Sequence, residues 1–94
     1  MAMINEVPGK HTKHRVMLYA LSTCIWCKKT KRLLDDLEVQ YRFVFVDLLK
    51  GKEEEEVMEQ VRRHNADCTF PTMIIDERTV VVGLKEDEIK KALR

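Results

Sequence analysis

The residues of this chain best suited to chemistry are its cysteines. Cys24 and Cys27 enclose Ile25 and Trp26, and Cys68 stands just before Thr69-Phe70-Pro71-Thr72. A Cys-x-x-Cys pair outside a secreted disulfide scaffold has two main uses. It can cycle between dithiol and disulfide, with one sulfur held as the attacking thiolate and the other close enough to displace the product. Alternatively it supplies half of a tetrahedral metal site, for which Cys24, Cys27, His64 and Cys68 are the candidate zinc set. That set lacks a second Cys-x-x-Cys, and zinc knuckles are short Gly-rich turns. A third use is structural, as a plain pair of free thiols. His11 and His14 form a weak metal pair at best, and two solvated histidines are the simpler reading.

The surrounding elements weigh these uses against each other. Arg15–Leu21 reads RVMLYAL, a continuous apolar run that suits a buried strand. From Ile25 to Glu38 the period becomes helical, with Cys27, Thr30, Leu34 and Leu37 on one face and Leu33 beside it. Cys24 therefore stands at a helix N-terminus, where unpaired N–H groups and the macrodipole favour an anion. Ser22 and Thr23 are candidate caps. Cys27 lies one turn further on and can reach the same sulfur. This strand-to-helix setting favours redox cycling, with Cys24 as nucleophile and Cys27 as resolving thiol. Lys28 and Lys29 add positive charge nearby.

Tyr41–Asp47 (YRFVFVD) is a second strand by its aromatic and β-branched content. A second helix runs over about 53–64, its first turn acidic and its last turn (Arg62, Arg63, His64) basic, as the dipole prefers. Met73–Ile75 and Thr79–Val82 are strands joined by a turn at Asp76-Glu77-Arg78. Gly83 ends the hairpin, and 85–94 forms a last helix with Ile89 and Leu93 inward. The order β-α-β-α-β-β-α implies a four-stranded mixed α/β sheet flanked by three helices, with right-handed crossovers between the parallel strands. Residues 1–14 show no periodicity and are read as a flexible N-terminal tail or a late-ordering strand, ahead of one domain at 15–94.

Size and charge set the outer limits. The chain has 94 residues, 45% hydrophobic and 35% charged, which fits one compact domain. No stretch approaches the ~18 apolar residues of a membrane span. No apolar run behind a basic segment marks a secretory signal, and three cysteines are an odd number for a disulfide scaffold. A reducing compartment, the cytoplasm, is expected. Net charge is +1, which makes no case for nucleic acid or membrane as partner. The charge is uneven: residues 1–52 carry ten Lys/Arg and five Asp/Glu (+5), and residues 53–94 carry seven and eleven (−4).

Three motifs in order and spacing, Cys24-Ile25-Trp26-Cys27, Thr69-Phe70-Pro71-Thr72 and the Gly83 turn, give a resemblance to the glutaredoxins and related small redoxins of the thioredoxin superfamily, over residues 15–94. The resemblance implies a thioredoxin-like fold and a thiol–disulfide oxidoreductase, with Cys24 and Cys27 catalytic and no tightly bound cofactor or metal. It implies a cis Pro71 beside the active site that presents the Phe70 main chain to a substrate peptide. Thr69, Phe70, Pro71 and Gly83 would then line the substrate site. Trp26 either contacts partners or packs inward, and Glu86 and Asp87 either hold a glutathione amino group or serve as first-turn charges. Cys68 is either a small core residue or a redox site. The partners implied are disulfide-containing proteins and an electron source, glutathione or a protein reductase, acting on a monomer. Some family members instead hold an iron–sulfur cluster between two protomers.

Several features depart from the glutathione-using pattern. Leu21-Ser22-Thr23 stands where many members have a lysine, Ile25-Trp26 replaces Pro-Tyr, and Leu84 follows Gly83 where a second glycine is usual. The sequence is more similar in these respects to glutaredoxin-sized redoxins that serve ribonucleotide reductase and draw on a protein reductase.

Overall fold

The computed structural model describes residues 4–94. Its elements are β1 (Asn5–Val7), β2 (Val16–Ala20), α1 (Ile25–Asp36), β3 (Tyr41–Phe45), α2 (Gly51–His64), β4 (Thr72–Ile75), β5 (Thr79–Val82) and α3 (Glu86–Ala92). One sheet has the order β1-β3-β2-β4-β5. β2 and β3 are parallel, and every other pair is antiparallel.

The central strands are apolar at successive positions because both faces of the sheet are covered. Val16, Leu18 and Ala20 of β2, Tyr41 and Phe43 of β3, and Met73 and Ile75 of β4 pack with Cys27 and Leu34 of α1 and Ile89 of α3. The alternate residues Tyr19, Val44 and Ile74 pack with Val57 and Val61 of α2. Period-two alternation thus feeds two cores, one on each side.

The sheet has five strands, not the expected four. The fifth, β1, comes from the segment read as a flexible tail or a late-ordering strand, of which residues 1–3 lie outside the described residues. A three-residue strand with Asn5 and Glu6 exposed carries too little apolar pattern to announce itself. It is held at the sheet edge by pairing with β3, where Glu6 faces Arg42 in register and forms an ion pair at 2.9 Å. Gly9 lets the chain pass close to β3's approach, since a Cβ there would collide with the Val39–Gln40 main chain. His11 then exchanges hydrogen bonds with Glu38 O and Gln40 N, both 2.9 Å.

Other boundaries moved for local reasons. β3 stops at Phe45, and Val46–Leu48 forms a 3-10 turn instead of extending the strand to Asp47. α1 ends at Asp36, and Glu38 takes a left-handed φ of 56°. The β4–β5 turn places Asp76 and Glu77 at φ 54° and 61°, the left-handed region of primed hairpin turns.

Asp76 is anchored there by His14, which the sequence left as a solvated tail histidine. Asp76 accepts Arg15 N at 2.9 Å and lies 2.6 Å from His14 Nδ1, while His14 Nε2 lies 2.9 Å from Arg94 O. Both ring nitrogens face acceptors, so only the imidazolium satisfies both. The Arg94 carbonyl and the Asp76 carboxylate accordingly raise the His14 pKa above its ordinary value of 6.5. A raised histidine contributes stability that is fully present below about 6.5 and is lost as pH rises through the folded value. Thermal midpoints should therefore fall as pH rises through the His14 titration. His14→Ala should flatten that slope; an identical slope in the variant would contradict the assignment.

Candidate active site

The β2–β4 and β4–β5 registers, continued by one residue past Tyr19↔Thr72↔Val82, place Ala20, Pro71 and Gly83 side by side. A hydrogen bond from Gly83 N to Pro71 O, 2.8 Å, closes that row. The loop carrying Cys24, the Thr69–Pro71 segment and the Gly83 turn therefore meet at one end of the sheet. The Phe70–Pro71 bond is cis. Gly83 has φ 83°, a left-handed value that favours glycine at this turn.

Cys24 is itself the N-cap of α1. Its backbone is extended (φ −84°, ψ 118°), and its Sγ accepts the Cys27 N–H at 3.1 Å. Ser22 and Thr23, the expected caps, do not fill that role. Ser22 is instead bound by Asp47, which accepts its N–H at 2.8 Å and its hydroxyl at 2.5 Å. These two bonds, hydroxyl first, hold the Asp47 carboxyl below the usual carboxylate range. The 3-10 turn after β3 thus fixes the start of the cysteine loop.

The two sulfurs differ sharply. Cys24 is half-buried, and Cys27 is fully buried in the α1-side core. Burial, then the hydrogen bond to Cys24, push the Cys27 thiol up to about 12, with the charges of Cys24 and Asp47 adding to it. Cys27 keeps its proton at neutral pH, while the accessible Cys24 sulfur receives an N–H bond at the helix N-terminus. Two of the causes that hold the Cys27 proton come from Cys24. Both disappear when the Cys24 sulfur bonds to another sulfur, so Cys27 becomes easier to ionise at that stage.

Asn65, absent from the sequence-based site, organises the segment opposite. It is buried at the end of α2, and its Nδ2 donates to Thr69 O (3.2 Å), Thr69 Oγ1 (3.1 Å) and Thr72 Oγ1 (3.0 Å). Thr72 Oγ1 also donates to Thr69 O at 2.6 Å. An Asn at a helix end ahead of two threonines was the available signal. The Phe70 main chain makes no hydrogen bond among the described residues.

Trp26 is 57% exposed and Ile25 64%, so Trp26 does not pack inward. Glu86 and Asp87 are exposed in the first turn of α3, and Glu86 lies 3.6 Å from Lys90. Cys68 is half-buried against the α2-side core, with φ 52°. The candidate zinc set is not assembled: among the described residues no three His, Cys, Asp or Glu side chains converge on a metal position. His64 lines a cavity of about 760 Å³ between α2 and the sheet that no cysteine lines, and is bound through Nδ1 to Gln60 O at 2.9 Å.

The glutaredoxin family profile matches residues 16–80, which include Cys24, Cys27 and Pro71. The chain belongs to the glutaredoxin family. A crystal structure of the glutaredoxin from Methanosarcina mazei Go1 is 52% identical, with a TM-score of 0.89 over 96% of this chain and 86% of that one. Methanosarcina acetivorans methanoredoxin is 46% identical, with a TM-score of 0.86 over 90% and 88%. Glutaredoxin 1 of Rickettsia prowazekii is 31% identical over 72 residues, 77% of this chain and 73% of its own length. The thioredoxin-like α/β fold is thereby established for this chain, as is a glutaredoxin-like redox protein with a Cys24–Cys27 pair. No helix of the described residues is long and apolar enough to cross a membrane.

Proposed function

We propose that this chain is a dithiol–disulfide oxidoreductase that reduces protein disulfides in the cytoplasm as a monomer. The observation that carries this reading is the asymmetry of the pair: Cys24 is accessible and N-capping, and Cys27 is buried with its proton held. The Cys24 thiolate attacks one sulfur of a substrate disulfide, and the other leaves as a thiolate that takes up a proton. Cys27 then loses its proton and attacks the Cys24 sulfur, releasing the second substrate thiol. The protein dithiol is oxidised to a Cys24–Cys27 disulfide, and the substrate disulfide is reduced to two thiols.

Thr69, Phe70, Pro71 and Gly83 form the substrate platform in this proposal. The free Phe70 N–H and C=O support it, since an extended peptide can pair with them beside Cys24. Exposed Trp26 serves as an apolar contact. A ribonucleotide reductase disulfide is one acceptor of suitable chemistry. The test is stoichiometric: pre-reduced protein should convert one equivalent of insulin disulfide to thiols, and no loss of disulfide would refute the reading.

A protein reductase is proposed as a better electron donor than glutathione. Leu21-Ser22-Thr23 offers no lysine for a glutathione carboxylate, and Leu84 stands in place of the second glycine after Gly83. Each lost charge-assisted hydrogen bond costs about 1.5–3 kcal/mol, roughly ten- to a hundred-fold in affinity. Re-reduction of the oxidised protein should be at least about tenfold slower with glutathione and its reductase than with a thioredoxin-type reductase and NADPH. Fast glutathione-dependent recovery with no response to the protein reductase would reverse that ranking.

A further inference from the structure

The three helices treat their dipoles differently. α2 begins with Glu53 and Glu54 and ends with Arg62, Arg63 and His64; α3 begins with Glu86, Asp87 and Glu88 and ends with Lys90 and Lys91. Both run with the dipole. α1 runs against it, with no acid in its first turn and no base in its last. Lys28 and Lys29 follow its first turn, Arg32 comes next on the exposed surface, and Asp35 and Asp36 close it.

This arrangement weakens the helix, so its benefit lies elsewhere. Lys28, Lys29 and Arg32 are exposed and form no ion pair among the described residues, unlike Arg15, Arg42, Arg62, Lys85 and Lys90. Lys31 differs in being half-buried, with its Nζ 3.8 Å from the Phe43 ring centroid. The exposed cations adjoin an apolar step made by Ile25 and Trp26, with Lys29 Nζ 4.8 Å from the Trp26 ring centroid. Of the acids outside α1, Asp47 is bound to Ser22, Glu86 and Glu88 lie within 3.6 and 3.8 Å of Lys90 and Lys85, and Asp87 is exposed without an ion pair among the described residues.

We propose that the Lys28–Lys29–Arg32 face, with Ile25 and Trp26, is a docking surface for proteins whose disulfide is flanked by acidic side chains. The charge complementarity steers such a partner to Cys24, and the apolar step seats it. The proposal rests on the thiol–disulfide exchange described above, with the same electron balance. Its effect falls on encounter rate and substrate choice.

The test uses two peptides, each closed by one disulfide and identical except for flanking Asp/Glu or flanking Lys. Pre-reduced full-length protein is mixed with each in a single turnover, with bis(2-hydroxyethyl) disulfide as the uncharged reference. At ~10 mM salt the acidic peptide should react roughly tenfold faster or more. The gap should close toward parity at ~1 M, where the screening length is about 3 Å. In the triple variant Lys28→Glu, Lys29→Glu, Arg32→Glu, rates normalised to the uncharged disulfide should favour the lysine peptide. The added acids lie nearer the positive end of the dipole, so α1 is retained. Equal normalised rates at low salt, or an acidic preference that survives the triple substitution, would overturn the docking surface while leaving the redox reading intact. Failure of the wild-type protein to reduce even the uncharged disulfide would overturn the redox reading and the docking surface with it.

Discussion

Cys24→Ser is expected to reduce disulfide-exchange activity to background, whereas Cys27→Ser is expected to react once and stop as a mixed disulfide. The reason is the division of labour in the pair. Cys24 is only half-buried, and its Sγ accepts the Cys27 N–H at 3.1 Å. Cys27 is fully buried, and its thiol is pushed up to about 12 by burial and by its bond to Cys24. A serine hydroxyl at position 24 is a far weaker nucleophile than a thiolate. At position 27 it cannot displace the product, so the intermediate persists. Mass spectrometry of Cys27→Ser after exposure to a disulfide peptide should show one half of that peptide attached at Cys24. Attachment at Cys68, or unchanged turnover by Cys24→Ser, would contradict the assignment.

Asn65→Ala is expected to lower stability by ~2 kcal/mol, roughly 8–16 °C in thermal midpoint for a domain of this size. Its Nδ2 joins the end of α2 to Thr69 and Thr72 on either side of the cis bond. Its own φ of −143° is extended, so alanine fits the backbone and the loss belongs to the side chain. Reduction of protein disulfides should fall more than alkylation of Cys24, because the Thr69–Pro71 segment loses its anchor and the cysteine loop does not. A midpoint within ~2 °C of the parent would show that the threonines hold the segment alone.

The parts of this molecule that could be read from sequence are those where pattern and packing agree. Val16–Ala20 and Phe43–Val46 are apolar along their length because α1 and α3 cover one face and α2 the other, while Arg42 stays exposed and pairs with Glu6. The strand-to-helix step places Cys24 without further information. β1 was not legible, since its pairing depends on β3 and not on its own three residues. Nor were the long-range polar contacts, one at the cysteine loop and one at the opposite end of the sheet. Asp47 reaches Ser22 across 25 residues, and His14 reaches Asp76 across 62. Such bonds are made by polar residues with ordinary local roles, a strand end and a tail, and only the tertiary arrangement gives them partners. Ser22 looked like a cap by type, yet the cysteine took the position and the serine was drawn to Asp47.

The central claim is that Cys24 and Cys27 exchange electrons with a substrate disulfide as a closed pair. The most direct test is one turnover of pre-reduced protein with a peptide disulfide, followed by acid quench, alkylation of free thiols and peptide mapping. The predicted result is a Cys24–Cys27 disulfide in proportion to peptide reduced, with Cys68 alkylated. Peptide reduction accompanied by a Cys24–Cys68 or intermolecular linkage, with Cys27 alkylated, would contradict it.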